Sequence, residues 1–312
     1  MNIKSTREAA VRAMIECAEK DSGIVIISPD SMLAGRLIPF CERFPGRLIE
    51  VGIAEQAAVD IAAGLATSGM TPVVISYAGF LTMRACEMIR TFVAYPNLNV
   101  KLIGLNGGMF GGEREGVTHQ FYEDVGILRS MPGVTILVPA DAQQAYLAAK
   151  AMLETKGPVY LRLGSGREPE VFDEGTPFAK IREVKRYGDD VAIFAAGFVM
   201  NRALEALEQL KSERIAAALI DVPMIKPIES QTVAEILRRA GCAVVVEDHN
   251  IYGGLGSAIC EVACDFHPCR VRRLGLRDAY PRSGHADALL DAYGLSVADI
   301  VAAAKDVMTK RG

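Results

Sequence analysis

The chain has no excess of positive charge. Its 34 Lys and Arg are outnumbered by 38 Asp and Glu, for a formal net charge of −4 and a pI near 5.7. That balance argues against a nucleic-acid binder built on a basic face. No apolar run reaches the roughly 20 residues needed to cross a bilayer, so no membrane association is expected. The opening stretch MNIKSTREAAVRAMIE is amphipathic with early acids, and it lacks the apolar core and small-residue cleavage site of a secretory signal. Seven cysteines make an odd count without a C-x-x-C, and Cys260, Cys264 and Cys269 fit no common zinc spacing. Free thiols in a reducing cytoplasm are expected. There is no G-x-x-x-x-G-K-[ST], no G-x-S-x-G, no H-E-x-x-H and no complete G-x-G-x-x-G. Tryptophan is also absent, which decides nothing about function.

What remains is an ordinary globular composition, 50% hydrophobic and 23% charged over 312 residues. At roughly 150 residues per domain, that length suggests about two domains. Short β-branched runs alternate with longer helical periods. Ser5-Thr6-Arg7-Glu8 reads as a capping box for a first helix. Strands are predicted over Gly23–Ser28, Arg47–Ile53, Thr71–Tyr77, Val100–Asn106, Val134–Val138 and Val159–Leu163. Helices are predicted from Ala54 to near Ser68, from Phe80 to Ala94 and from about Asp141 to Glu154. Such alternation implies an α/β fold whose mostly parallel sheet is covered on both faces. Residues 1–165 form the first domain in this reading, and polar residues 166–189 are a linker. Residues 190–312 form a second α/β domain, with strands at Val191–Ala195, Ile215–Val222 and Ala243–Val246 and final helices from about Ala286 and Ser296. Both domains are expected to be doubly wound.

In open α/β sheets, ligands gather at the carboxyl ends of strands. Three such ends stand out. Glu55 opens a helix after Val51-Gly52-Ile53, among apolar neighbours. Desolvation there would raise its pKa and suit it to share a proton, although a first-turn glutamate can also serve the helix dipole alone. Tyr77 and Phe80, separated by Ala78 and Gly79, could hold a flat heterocycle or simply pack in the core. The loop Gly107–Gly116 carries five glycines in ten residues and leads to His119. Glycine lets backbone approach a ligand closely, and histidine titrates near neutrality. A mobile surface loop is the alternative. Arg162 and Arg167 bracket a further strand end and could clamp a phosphate or carboxylate, or be structural. Gly253-Gly254-Leu255-Gly256-Ser257 reads as a tight turn.

Taken in order, Val51-Gly52-Ile53-Ala54-Glu55-Gln56, Tyr77-Ala78-Gly79-Phe80-Leu81 and Gly116-Val117-Thr118-His119-Gln120 resemble the C-terminal half of transketolases. The stretch Glu247–Gly256 resembles the start of that family's C-terminal domain helix. The family binds thiamine diphosphate between two α/β domains. The resemblance implies the aminopyrimidine-binding domain plus the C-terminal domain. The diphosphate domain's G-D-G…N metal motif is absent, and Gly188-Asp189-Asp190 does not replace it. The chain is therefore similar to the pyrimidine-binding half of a split transketolase. A separate diphosphate-binding chain, holding Mg²⁺ or Ca²⁺, is implied as its partner, and so is an A2B2 assembly.

By the same resemblance, Glu55 would contact N1′ of the aminopyrimidine. Phe80 would stack on the ring, with Tyr77 and Met83 nearby and Asp30 at the cleft. His119 would meet the hydroxyls of the donor sugar. The chain departs from the pattern around the substrate. Glu113-Arg114-Glu115-Gly116 stands where transketolases carry E-D-G, so Glu115 takes the aspartate position, and Asn106 takes that of a phosphate-end histidine. Arg162 or Arg167 is then the remaining candidate for holding a phosphate. The implied activity is transfer of a two-carbon ketol unit from a ketose, or its phosphate, to an aldose acceptor. Three rivals stand beside it. One is a component of an enzyme like 1-deoxyxylulose-5-phosphate synthase. Another is the β chain of a 2-oxoacid dehydrogenase E1, which usually reads H-x-S-Q where this chain has T-H-Q. The third is an assembly protein without catalysis.

Overall fold

The computed structural model describes residues 5–111 and 115–309. The first unit runs α1 (Thr6–Ala18), β1 (Ile24–Ser28), α2 (Ile38–Arg43), β2 (Leu48–Glu50), α3 (Glu55–Thr67) and β3 (Thr71–Tyr77). Two π-helical turns, Phe80–Arg84 and Ile89–Ala94, flank the short α4 (Cys86–Met88). The unit is completed by β4 (Lys101–Leu105), α5 (Asp124–Arg129), β5 (Thr135–Leu137), α6 (Ala142–Glu154) and β6 (Val159–Arg162). The second unit holds β7 (Arg182–Arg186), β8 (Val191–Ala196), α7 (Met200–Ser212), β9 (Ala217–Asp221), β10 (Met224–Lys226) and α8 (Ser230–Ala240). It ends with β11 (Cys242–Asn250), α9 (Leu255–Phe266), β12 (Arg270–Leu276), α10 (Ala286–Ala292) and α11 (Val297–Thr309). Among the described residues no helix is long and apolar enough to cross a membrane.

The α/β class and the two mostly parallel sheets agree with the sequence reading. The first sheet has seven strands in the order β10-β5-β6-β4-β3-β1-β2, and the second has five in the order β12-β11-β8-β9-β7. Among the described strands only β10 and β7 run antiparallel to their neighbours. Strands β1, β4 and β8 are buried at every residue, as mostly apolar runs are when helices cover both faces.

Three details differ from expectation. The predicted strand Arg47–Ile53 pairs only over Leu48–Glu50, because Gly52 turns the chain at φ +69° and lets α3 begin at Glu55. The proposed linker is not all loop. Its residues Arg182–Arg186 form edge strand β7, whose charged side chains leave no apolar signal but guard an edge well. Strand β10, within the second sequence domain, joins the first sheet by pairing Met224 with Leu137 and Lys226 with Ile136. One apolar core accordingly runs through both units, from Ile27, Val74 and Ala58 to Phe194, Ile220 and Val245.

Helix ends follow local chemistry. The Ser5 hydroxyl accepts from the Glu8 amide, and the Asp141 carboxylate accepts from the Gln144 amide. The Glu247 carboxylate caps α9 by accepting from the amides of Leu255 and Gly256 at 2.7 and 2.9 Å. A Cβ at Gly254 would lie 2.0 Å from that carboxylate, which accounts for the glycine-rich turn there.

Candidate functional site

The site forms where β1, β3 and β4 end. Glu55, the first residue of α3, is 3% exposed. The Ser76 hydroxyl, from the end of β3, donates to its Oε1 at 3.4 Å. Besides the apolar neighbours read from the sequence, Arg84 reaches Glu55. One guanidinium nitrogen of that residue lies 3.2 and 3.1 Å from the two carboxylate oxygens. Arg84 comes from the first π-helical turn, and its guanidinium carbon lies 3.9 Å over the Phe80 ring. Sequence reasoning missed this residue. Its spacing from Phe80 is legible, but its approach to Glu55 depends on how α3 packs against the turn.

The aromatic residues come together. The Tyr77 and Phe80 rings are 5.7 Å apart, and His119 stands edge-on to both at 5.1 Å. Phe121, not singled out from sequence, lies 5.2 Å from Phe80. A Cβ at Gly79 would sit 1.9 Å from the Phe121 ring, so the small residue between the aromatics is a packing requirement. His119 ends a 3₁₀ turn, Gly116–His119, and its Nδ1 lies 3.0 Å from the Thr118 hydroxyl. Phe80, Met83, Arg84, His119 and Tyr280 line an open cavity of about 590 Å³.

The glycine loop is tied at its base. The Gly108 amide donates to the Phe121 carbonyl at 2.6 Å, and the Met109 amide donates to the Asp248 carboxylate at 2.9 Å. Gly108 has φ +90°, and a Cβ on it would strike that carboxylate. Glu115 is exposed. Glu113 and Arg114, which carry part of the departure from the transketolase pattern, lie outside the described residues.

The residues assigned to a phosphate are not brought together. Arg162 is buried under the loop, with Nε 2.9 and 3.1 Å from the Asp124 carboxylate oxygens and another nitrogen donating to the carbonyls of Phe121 and Asp248. That corrects its reading as a clamp: its fork is spent on the protein. Arg167 borders a different groove, with Ser5, Glu8 and Glu170. Asn106 is buried in a left-handed conformation, φ +56°, and its carbonyl oxygen accepts from Arg7. Arg7 also donates to the carbonyls of Ala34 and Gly164, tying together the loops that follow β1, β4 and β6. Asp30, also left-handed, donates its amide to Glu50 at 2.6 Å beyond β1.

Around Arg162 is a buried polar seam between the two units. The Tyr160 hydroxyl donates to Asp124 at 2.5 Å, and the Gly126 amide donates to His249 Nε2 at 3.3 Å. Burial pushes the His249 pKa down to about 4, despite two carboxylates 3.9 Å from its ring nitrogens. Burial prevails because Asp124 is already paired with Arg162, while Glu247 is itself raised to about 7 by desolvation. His249 therefore accepts as a neutral ring.

The functional geometry is thus a buried carboxylate, an aromatic face joined to it through Arg84 and a histidine beside that face. Residues 3–167 match the family "Transketolase, pyrimidine binding domain", and residues 180–300 match "Transketolase, C-terminal domain". The chain is 36% identical over 306 residues to the 6-deoxy-6-sulfo-D-fructose transketolase subunit SqwH of Clostridium sp. (strain MSTE9), covering 98% of this chain and 95% of that protein. It is 31% identical to one of the apulose-4-phosphate transketolase subunits of Phocaeicola vulgatus (strain ATCC 8482), covering 99% of both. A solved structure described as a split gene transketolase, inactive beta4 tetramer, superposes with a TM-score of 0.90 at 36% identity and full coverage of both chains.

Proposed function

The chain belongs to the transketolase family, and from that premise we propose that it is the pyrimidine-binding half of a split, thiamine-diphosphate-dependent transketolase. In this reading it moves a two-carbon ketol unit from a ketose, or ketose phosphate, to an aldose acceptor. It works with a diphosphate-binding partner chain that also holds Mg²⁺ or Ca²⁺, in a cytoplasmic A2B2 assembly. The relatives named as transketolase subunits support this reading, since they match almost end to end.

The carrying observation is the pairing of buried Glu55 with the aromatic face of Phe80. A planar cation already bridges the two, so the pocket suits a flat ring with N–H donors. The bound cofactor would supply the carbon centre that carries the two-carbon fragment. Glu55 would hold a proton at a ring nitrogen, which a desolvated carboxyl does well. Phe80 and Tyr77 would fix the plane of the ring, with Met83 beside them. His119 would meet donor hydroxyls at the rim and assist proton transfer there. Glu115, exposed on the same loop, and Asn106 remain part of the proposed substrate surroundings, and Asp30 part of the cofactor cleft.

The test is reconstitution with a candidate diphosphate-domain chain, followed by thiamine diphosphate titration with Mg²⁺ and a ketose-donor assay. Binding is expected only in the mixture. Glu55→Ala should abolish turnover, and normal turnover of that variant would falsify the mechanism. Release of CO₂ from pyruvate would point instead to the synthase-like rival.

A further inference from the structure

The pocket just assigned to the aminopyrimidine ring is bridged by one of the chain's own side chains. The Arg84 guanidinium carbon lies 3.9 Å over the Phe80 ring, and one of its nitrogens reaches both oxygens of Glu55. A guanidinium is flat, delocalised and rich in N–H donors. Stacked on an aromatic face and donating to a carboxylate, it presents the same contacts as a protonated aminopyrimidine.

The backbone favours this placement. Residues Phe80–Arg84 are wound as a π-helical turn, and residues 80 and 84, four apart, lie on one face of it. Such turns cluster at functional sites. The two members of the ion pair differ in freedom. The Glu55 side chain is 3% exposed, whereas that of Arg84 is 46% exposed and borders the open cavity. A buried carboxylate needs a partner, and an arginine on a long stem can withdraw.

We propose that Arg84 is a surrogate for the aminopyrimidine ring. In the chain without cofactor it bridges Glu55 and Phe80, keeps the buried charge paired, and must swing into the cavity before the ring can enter. This rests on the functional reading above, and it adds an exchange of partners at Glu55 to cofactor binding.

The sign of one measurement separates this role from a structural one. An arginine that merely supports the pocket weakens cofactor binding when removed. An arginine that must be displaced strengthens it. Thiamine diphosphate with Mg²⁺ would be titrated into the assembled enzyme carrying wild-type, Arg84→Met or Arg84→Lys chains. Arg84→Met is expected to bind roughly two- to fivefold more tightly, the size of one partly exposed ion pair removed from the cofactor-free state. Its isolated chain should melt at a lower temperature, because Glu55 is left buried and unpaired. Arg84→Lys, which keeps the charge without the flat stack, should fall between. Unchanged or weaker binding by Arg84→Met overturns the proposal. If that variant does not fold, a crystal structure of the wild-type assembly with cofactor decides: Arg84 still on Glu55 overturns it, and Arg84 withdrawn supports it. A wild-type assembly that takes up no cofactor instead overturns the functional reading, and the surrogate role falls with it.

Discussion

Arg162 and Asp124 form a buried ion pair beneath the glycine loop, with Nε 2.9 Å from Oδ2 and side chains 7% and 0% exposed. The same arginine holds the carbonyls of Phe121 and Asp248, so one cation joins the loop base to the second unit. Removing Asp124 strands that cation. Asp124→Ala is expected to destabilise the chain by about 3–5 kcal/mol, the usual cost of breaking a buried pair. Chemical denaturation checks this. Arg162→Met should also lose stability, and it should not raise KM selectively for an anionic donor sugar. A selective KM effect would return Arg162 to the substrate site.

Gly79 is expected to tolerate no side chain. A Cβ there would meet three atoms of the Phe121 ring between 1.9 and 2.8 Å. Gly79→Ala should cost about 1–3 kcal/mol as an overpacking change. It should also push Phe121 and Phe80 apart, so cofactor affinity should fall with stability. Calorimetry on the assembled pair and denaturation of the isolated chain read the two effects separately.

Acid should weaken the seam through His249. The unfolded chain binds a proton at this residue near pH 6.5, but the folded chain only near 4. Stability from this group is full above about pH 6.5 and is lost as pH falls toward 4. Glu247 and Asp221, both raised to about 7 by burial, act in the opposite sense, their contribution being lost as pH rises through 7. His249→Gln, which keeps an acceptor for Gly126, should therefore flatten the acid side of the melting-temperature profile and leave the alkaline side unchanged. An unaltered acid limb would mean that another group sets it.

The chain is expected to hold no disulfide in solution. All seven cysteines are free, and burial raises Cys17, Cys260 and Cys269 above the ordinary thiol range. A reductant is expected to leave the melting temperature unchanged, and thiol titration of the denatured chain should count seven with or without it.

The strands and the order of the site motifs were legible because buried parallel strands are continuous apolar runs and ligands gather at their ends. Glu55, Tyr77, Phe80 and His119 each sit at such an end or on the turn after it, and the structure brings them together. What escaped depends on contacts between distant residues. The charges of β7 hid an edge strand inside an apparent linker. The three residues of β10 are too short for a period, and their partner lies far back in the chain. Arg162 looked like a ligand-facing cation because nothing near it in sequence foretells that Asp124 will neutralise it. Arg84 was overlooked for the converse reason, since its meaning comes entirely from the carboxylate it meets.

The strand that crosses from one unit to the other has a mechanical consequence. With β10 hydrogen-bonded to β5, and Lys226 donating to the carbonyls of Arg129 and Met131, the second unit is stitched into the first sheet. The two units cannot rotate about the polar connector as separate bodies without unzipping that edge. Residues 1–165 expressed alone would present β5 as an open edge, an invitation to sticky strand pairing. Access to the pocket then falls to small parts, such as a withdrawing side chain, and to whatever docks from outside.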